Sequence, residues 1–570
     1  MTNHRLLNSR ALILAPLTLL LFIAVACGGT AATPVIVEKE VVKEVIKEVP
    51  IIQEVIKEVV VTATPGPTAA PEVLPQYGGF INMMDYADVR QRLIHQSSIL
   101  NENLSPLFNK LVEYNPETDD QSDIRCDLCT SWDLADDGVT YTFHLANNAK
   151  WWDGVPVTAD DVVFMFESIA APDQFEILEG RSTSSSILTG LYYEAGNAQA
   201  LDTNTVEVVI KFPSGSFLAS LAVETVLVQP KHTVIDQGIL QGGRNMDALN
   251  GSGPFKFVEH IKDVSTEYAK NPEYFKEGRP YIDGMKHFVI VDSGRVIAAF
   301  KTGQVLTSKW GVTNMSALEA QRLDDEMDNL TVHWGGPATS LSVNMNTAKP
   351  PFDDPKVRTA VHLALYRQPI IETFTGGKNL MGYLNPPGFW YSRTLSVSEQ
   401  LTGYRELNGE KHPDDIAEAH RLLKGAGISE NLKVTLTARN CCVYPDEAVL
   451  IKEQLKKNLG WDIEIEVLEA GAGFDAYWAG DYQFMIQAST LNNTSPDAVH
   501  ASWVLGTLPQ WVGGGRGKFF TVEGVDELFE QQMREPNQEK RKALVNQIED
   551  TLYNGASASA VIWWTMRHQP

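Results

Sequence analysis

This sequence contains no HExxH pattern, no GxSxG nucleophile elbow and no phosphate-binding loop. Its twelve histidines are scattered, and neither Gly377-Lys378 nor Gly517-Lys518 has the flanking residues such a loop needs. Without those arrangements a hydrolytic or phosphoryl-transfer site has no starting point, so an enzyme is not expected; carboxylate pairs such as Asp160-Asp161 read first as helix caps. Positive charge is also short. Against 72 acidic residues stand 47 basic ones, and the net charge of −25 repels polyphosphate, which argues against nucleic acid as a partner. Cysteine is scarce as well, at five positions. Zinc would need two spaced pairs, but Cys441 and Cys442 are adjacent and no histidine lies at ligand spacing, so neither a metal nor another cofactor is expected.

Long uncharged apolar runs are limited to one, residues 11–25. It follows Arg5 and Arg10 and is shorter than the ~20 residues that cross a membrane, which is the outline of a signal peptide. It ends at Ala24-Val25-Ala26-Cys27-Gly28-Gly29, which resembles a bacterial lipobox. That resemblance implies cleavage before Cys27 and acylation of its sulfur and amine, hence an extracytoplasmic, lipid-anchored protein at the cell surface or in the periplasm. Ordinary cleavage near Ala26, with full release, is the alternative. Residues 35–61 repeat Val/Ile, Lys and Glu, with Pro50 interrupting any helix, and Thr64-Pro65-Gly66-Pro67 reads as a flexible joint. Residues 28–76 are therefore expected to be a tether. In an exported protein disulfides outrank metal, and of the three connectivities open to four cysteines Cys126 to Cys129 is the favoured bond.

After the tether, the sequence carries α/β signals. Residues 77–83 read as an opening strand, and a helix is expected to give way to a loop near residues 111–116. Residues 132–134 and 140–145 read as strands joined through Asp137-Gly138, and Thr158 as the cap of a helix beginning at Val162, its hydroxyl accepting from first-turn amides. Farther on, helix (415–423), strand (432–437), helix (447–458) and strand (463–467) alternate as βα units do.

Several segments, taken together, resemble the extracellular solute-binding family that serves peptide, nickel and oligosaccharide ABC importers. They are Cys129-Thr130-Ser131-Trp132-Asp133-Leu134, Trp152-Asp153-Gly154-Val155-Pro156, Gly251-Ser252-Gly253-Pro254-Phe255, Asn271-Pro272-Glu273-Tyr274-Phe275 and Pro351-Phe352-Asp353-Asp354-Pro355, in this order and spacing. The resemblance spans roughly residues 77–565. It implies a periplasmic-binding-protein-like fold (type II, cluster C) of two α/β lobes with an extra inserted domain. Mapped here, lobe one is 77–105, 206–337 and 558–570, the insert is 106–205, and lobe two is 338–557. It also implies capture of a small solute and a permease and ATPase complex as partners. A sensory receptor of the same fold is the alternative.

Affinity in such a clasp comes from surfaces completed on closure, which suits aromatic side chains. Trp310, Trp334, Trp390 and Trp503 are the candidates at loops near the expected cleft, Trp390 foremost because it follows Asn385-Pro386-Pro387-Gly388. Peptide receptors of this family hold the ligand's amine with an aspartate, and the corresponding residue here is Asn492, followed by Asn493. An amide leaves a desolvated ammonium uncompensated, which directs expectation toward an uncharged ligand such as an oligosaccharide. Gly251, Gly253, Pro254 and Arg358 are expected to be structural.

Overall fold

The structure, a computed structural model, describes residues 75–570 except 86–87, 90–92, 96–102, 119–122, 180–187, 244, 309–314, 441–442, 491–494, 505–523, 555–558 and 570. Cys27, the tether up to Leu74, Trp310, Cys441, Cys442, Asn492 and Asn493 lie outside the described residues.

Three sheets organise the chain. A four-stranded antiparallel sheet runs Cys129–Leu134, Thr140–Leu145, Thr205–Val209, Ala198–Asp202 in spatial order. Alternation decides which face is covered: Tyr141, Phe143 and Leu145 are buried, and Tyr141 and Phe143 face Val208 and Val206 across the ladder. The helix Ala159–Ala170 is part of the same core, burying Val162, Met165, Phe166 and Ile169 at helical spacing. The first hairpin closes as its Asp-Gly pair requires, with Gly138 at φ +71° and the Asp137 carboxylate accepting from the amides of Val139 and Thr140. Thr158 is the cap as expected and closes a capping box with Asp161, but the helix begins at Ala159 rather than Val162. The Asp161 carboxylate in turn accepts from the Thr158 amide at 2.9 Å and from the Thr158 hydroxyl at 3.2 Å. Val112–Tyr114 is a strand rather than the end of a helix. It pairs with Ile124–Cys126, where Arg125 reaches Glu113 at 3.0 Å and Cys126 is bonded to Cys129, S–S 1.98 Å.

The family motifs meet one another in space. Trp152 donates its amide to the Gly251 carbonyl at 2.9 Å, and Asp153 accepts from His232 and Asn250, both at 2.8 Å. A Cβ on Gly251 would stand 2.0 Å from the Leu107 carbonyl oxygen and 2.7 Å from the Trp152 ring, so only glycine lets these three segments approach. Gly251→Ala is expected to lower stability by about 2 kcal/mol through this overpacking, read as a fall in the urea midpoint at unchanged slope.

A five-stranded mixed sheet runs Thr307–Ser308, Phe80–Asp85, Gly284–Val289, Ser265–Lys270, Phe255–Ile261. The helices Ser293–Lys301 and Ala317–Glu326 join its core through Val296, Phe300 and Leu323, which cluster with Met84. From there the chain enters a thirteen-residue strand, His333–Met345, whose preceding residue Val332 donates to Asp324. This strand belongs to a six-stranded sheet ordered Leu380–Met381, Ser559–Gln569, His333–Met345, Phe484–Thr490, Lys433–Arg439, Asp462–Leu468. Only its second half, Thr339 to Met345, pairs with Phe484–Thr490. Among the described residues, 333–337 pair with 566–569, with register shifts on either side of Pro337. This paired stretch leads from the five-stranded sheet into the six-stranded one, and the register shifts bend it there. Around the six-stranded sheet a second core gathers Val343, Phe352, Val361, Leu436, Ile451, Trp461 and Phe484. Asp354 caps the helix Pro355–Ala364, and its Arg358 donates back to the Phe352 and Asp353 carbonyls. The arrangement is a two-lobe α/β fold.

Candidate functional site

Beyond strand Phe484–Thr490 and residues 491–494 the chain turns into the helix Pro496–Val504. Its start follows from sequence: the Ser495 hydroxyl accepts the Ala498 amide at 3.3 Å and Pro496 occupies the first turn. Asp497, in the same turn, is fully buried. Its Oδ1 accepts from Gln532 at 2.5 Å and from Arg541 at 2.7 Å, and its Oδ2 accepts from the Tyr192 hydroxyl. Arg541 also donates to Gln532 at 3.1 Å and to the Ser216 hydroxyl at 2.8 Å. Gln532 and Arg541 come from the helices Val525–Arg534 and Gln538–Asn554, while Tyr192 and Ser216 come from the segments flanking the four-stranded sheet. Apolar packing runs along this junction: Tyr391, Val499, Phe529, Met533, Val545 and Ile548 share one core with Tyr192, Phe212 and Phe217.

Burial alone would raise the Asp497 carboxyl, but Arg541 and the three hydrogen bonds outweigh it and hold the group below its usual range. Burial, and next the charge of Asp497, push the Tyr192 phenol well up. Beside them the His500 Nε2 lies 2.7 Å from the Asn385 side-chain oxygen, which can only accept, so Nε2 carries the proton. Burial holds His500 down to about 4, and it is neutral at pH 7. Among the described residues, three buried polar atoms here have no hydrogen-bond partner: Asn385 Nδ2, His500 Nδ1 and the Tyr391 hydroxyl oxygen. The loop carrying the first and last is tied to helix Gln538–Asn554, for Glu549 accepts from the Asn385 amide at 3.2 Å and from Arg393 at 2.8 Å. This chemistry suits holding rather than reacting. The Asp497 charge is spent on Arg541, and among the described residues His500 Nδ1 meets no hydroxyl or thiol. Among the described residues no group of His, Cys, Asp and Glu could hold a metal ion, and no helix is long and apolar enough to cross a membrane.

Of the residues singled out from sequence, Trp390 is brought to this junction. It is half-buried, packs edge-on against Tyr391 with centroids 5.4 Å apart, and has the Arg541 guanidinium 5.8 Å from its ring centroid. Trp334 stands on a strand rather than a loop, in the paired stretch, with Lys378 Nζ 5.3 Å from its ring centroid. Trp503 is on helix Pro496–Val504, and its side chain is outside the described residues. Sequence reasoning missed Tyr192, Tyr391, Asp497, His500 and Arg541. Asp497 had a local signal, an acid directly after Ser-Pro; its partners, scattered along the chain, had none.

The family model for bacterial extracellular solute-binding proteins, family 5, middle region, matches residues 123–508, and the chain belongs to that family. Its relatives include the dipeptide-binding protein DppE of Bacillus subtilis, 24% identical over 459 residues, which are 77% of this chain and 79% of the relative. The probable deoxycholate-binding periplasmic protein YgiS of Escherichia coli is 26% identical over 430 residues, 73% of this chain and 76% of the relative. Among solved structures, the ABC transporter-associated periplasmic binding protein DppA of Helicobacter pylori, in complex with the peptide STSA, superposes with a TM-score of 0.70 at 21% identity, covering 87% of this chain and 94% of the other.

Proposed function

We propose that this protein captures a short peptide between its two lobes and delivers it to the permease and ATPase of an ABC importer. The observation that carries the reading is the paired stretch of residues 333–337 and 566–569, through which the chain passes from the five-stranded sheet to the six-stranded sheet with its own core. The relatives named for dipeptides favour peptide over oligosaccharide. The unpartnered polar atoms near Trp390 are uncharged, which suits main-chain amides. Trp310, Trp334, Trp390, Asn492, Asn493 and Trp503 are the proposed ligand contacts. The proposed division is that mapped by resemblance, with the last strand serving as the second crossing strand beside His333–Met345. At Cys27 we place a lipid anchor; a mature N-terminal peptide whose mass lacks acyl chains would exclude it.

No bond-making is involved, so occupancy should appear as stabilisation. A bound peptide present at 100 times its dissociation constant adds about 2.7 kcal/mol by mass action. Thermal unfolding with di- to pentapeptide pools is expected to show a rise in Tm that saturates with concentration. A response confined to bile acids or oligosaccharides would overturn the peptide reading, and a flat response to all three classes would overturn solute capture.

A further inference from the structure

The cluster around Asp497 divides into two parts with different fates. Asp497, Gln532 and Arg541 belong to three helices that follow one another in the chain, and their charges are satisfied among themselves. Tyr192 and Ser216 reach this cluster from 305 and 325 residues away, across the junction with the body of the four-stranded sheet. Each adds one neutral hydroxyl to a charged pair that is already complete. If the junction opens, the ion pair stays intact, while the two hydroxyls exchange a charged partner for water. Breaking these two hydrogen bonds strands no unpaired charge, so they can be lost without leaving a lone buried ion.

The surroundings fit the same role. Gly215 brings its backbone against Arg541, where a Cβ would lie 3.6 Å from the guanidinium, and Arg534 lies over the Phe212 ring at 4.4 Å. These are cation contacts made by neutral faces.

We propose that Tyr192 and Ser216 are positioning residues of closure: they grip the Asp497–Arg541 pair from the opposite body and set the fraction of closed molecules before any solute arrives. This rests on the reading of the two bodies as closing lobes but not on the identity of the ligand, so its test uses none. The full chain, freed of solute by partial unfolding and refolding, is compared by small-angle X-ray scattering with Tyr192→Phe, Ser216→Ala and the double variant. Each lost hydroxyl should shift the closed-to-open ratio by about tenfold. The radius of gyration is expected to increase in the single variants and further in the double one, with far-UV circular dichroism unchanged, and Ser216→Thr, which keeps the hydroxyl, should restore the compact profile. Profiles that superpose on wild type, whether or not Tm falls, would overturn the proposal by showing a contact that never opens or a state that was never closed. Should Tyr192→Phe not fold, the Ser216→Ala and Ser216→Thr pair decides alone. Failure to find a ligand in the thermal screen would leave this result readable.

Discussion

Replacing Arg541 by methionine is expected to cost about 3–5 kcal/mol of stability, the largest effect of any single substitution at the junction. The size follows from what is left behind. Asp497 has no exposed surface, and without the guanidinium its carboxylate keeps only Gln532 and Tyr192 as donors. A buried ion without its counterion must either protonate or drag water into the junction, and both are unfavourable in a low-dielectric core. Methionine preserves the length and apolar stem of the arginine, so the loss reports charge rather than volume. The complementary variant separates the two: Arg541→Met combined with Asp497→Asn removes the stranded charge and should recover a large part of the deficit. Urea unfolding of the wild type, the single and the double variant reads this as a cycle. Additive losses would mean that the pair is not coupled and that the junction is held by packing alone.

Acid should weaken the fold well before the carboxylates titrate. Burial holds His95 and His500 down to about 4, and burial, reinforced by the charges of Arg367 and Lys411, holds His362 well below its ordinary range. In the unfolded chain each of these takes up a proton near pH 6.5. Between pH 6.5 and about 4 the unfolded state therefore binds more protons than the folded one, so stability must fall as pH falls through that window. The contribution is fully present above pH 6.5. For His95 and His500 the loss approaches about 3 kcal/mol each by pH 4. Unfolding midpoints measured at pH 7.5, 6, 5 and 4.5 should decline steadily, and His500→Gln should flatten part of the slope. A pH-independent midpoint above pH 5 would contradict the burial of these neutral rings.

Much of the architecture is local and therefore legible in the sequence. The Asp137-Gly138 hairpin, the helix opened by Asp354-Pro355 and the alternating helices and strands from Pro413 to Leu468 each carry their signal within a few residues. The motif residues around Trp152 and Gly251 were recognisable as structural, and they do build a single joint. Short elements were less visible. Val112–Tyr114 is three residues long and becomes a strand only because Ile124–Cys126 lies beside it. The junction was least legible of all, since Tyr192, Ser216, Asn385, Asp497 and Arg541 acquire meaning only when packing brings distant helices together. Trp390 could be singled out because a Pro-Pro-Gly loop precedes it. Its neighbour Tyr391, buried and without a hydrogen-bond partner among the described residues, carries no such local signal.

The central claim is that a guest is enclosed by two lobes and held without reaction. Native mass spectrometry of the protein purified from its own source tests this most directly, because a clasped ligand survives purification. The expected result is a noncovalent adduct that gentle activation releases unchanged and whose fragments are amino-acid residues. A bare protein mass that stays bare after incubation with peptide pools, or a recovered peptide cleaved by the protein itself, would contradict it.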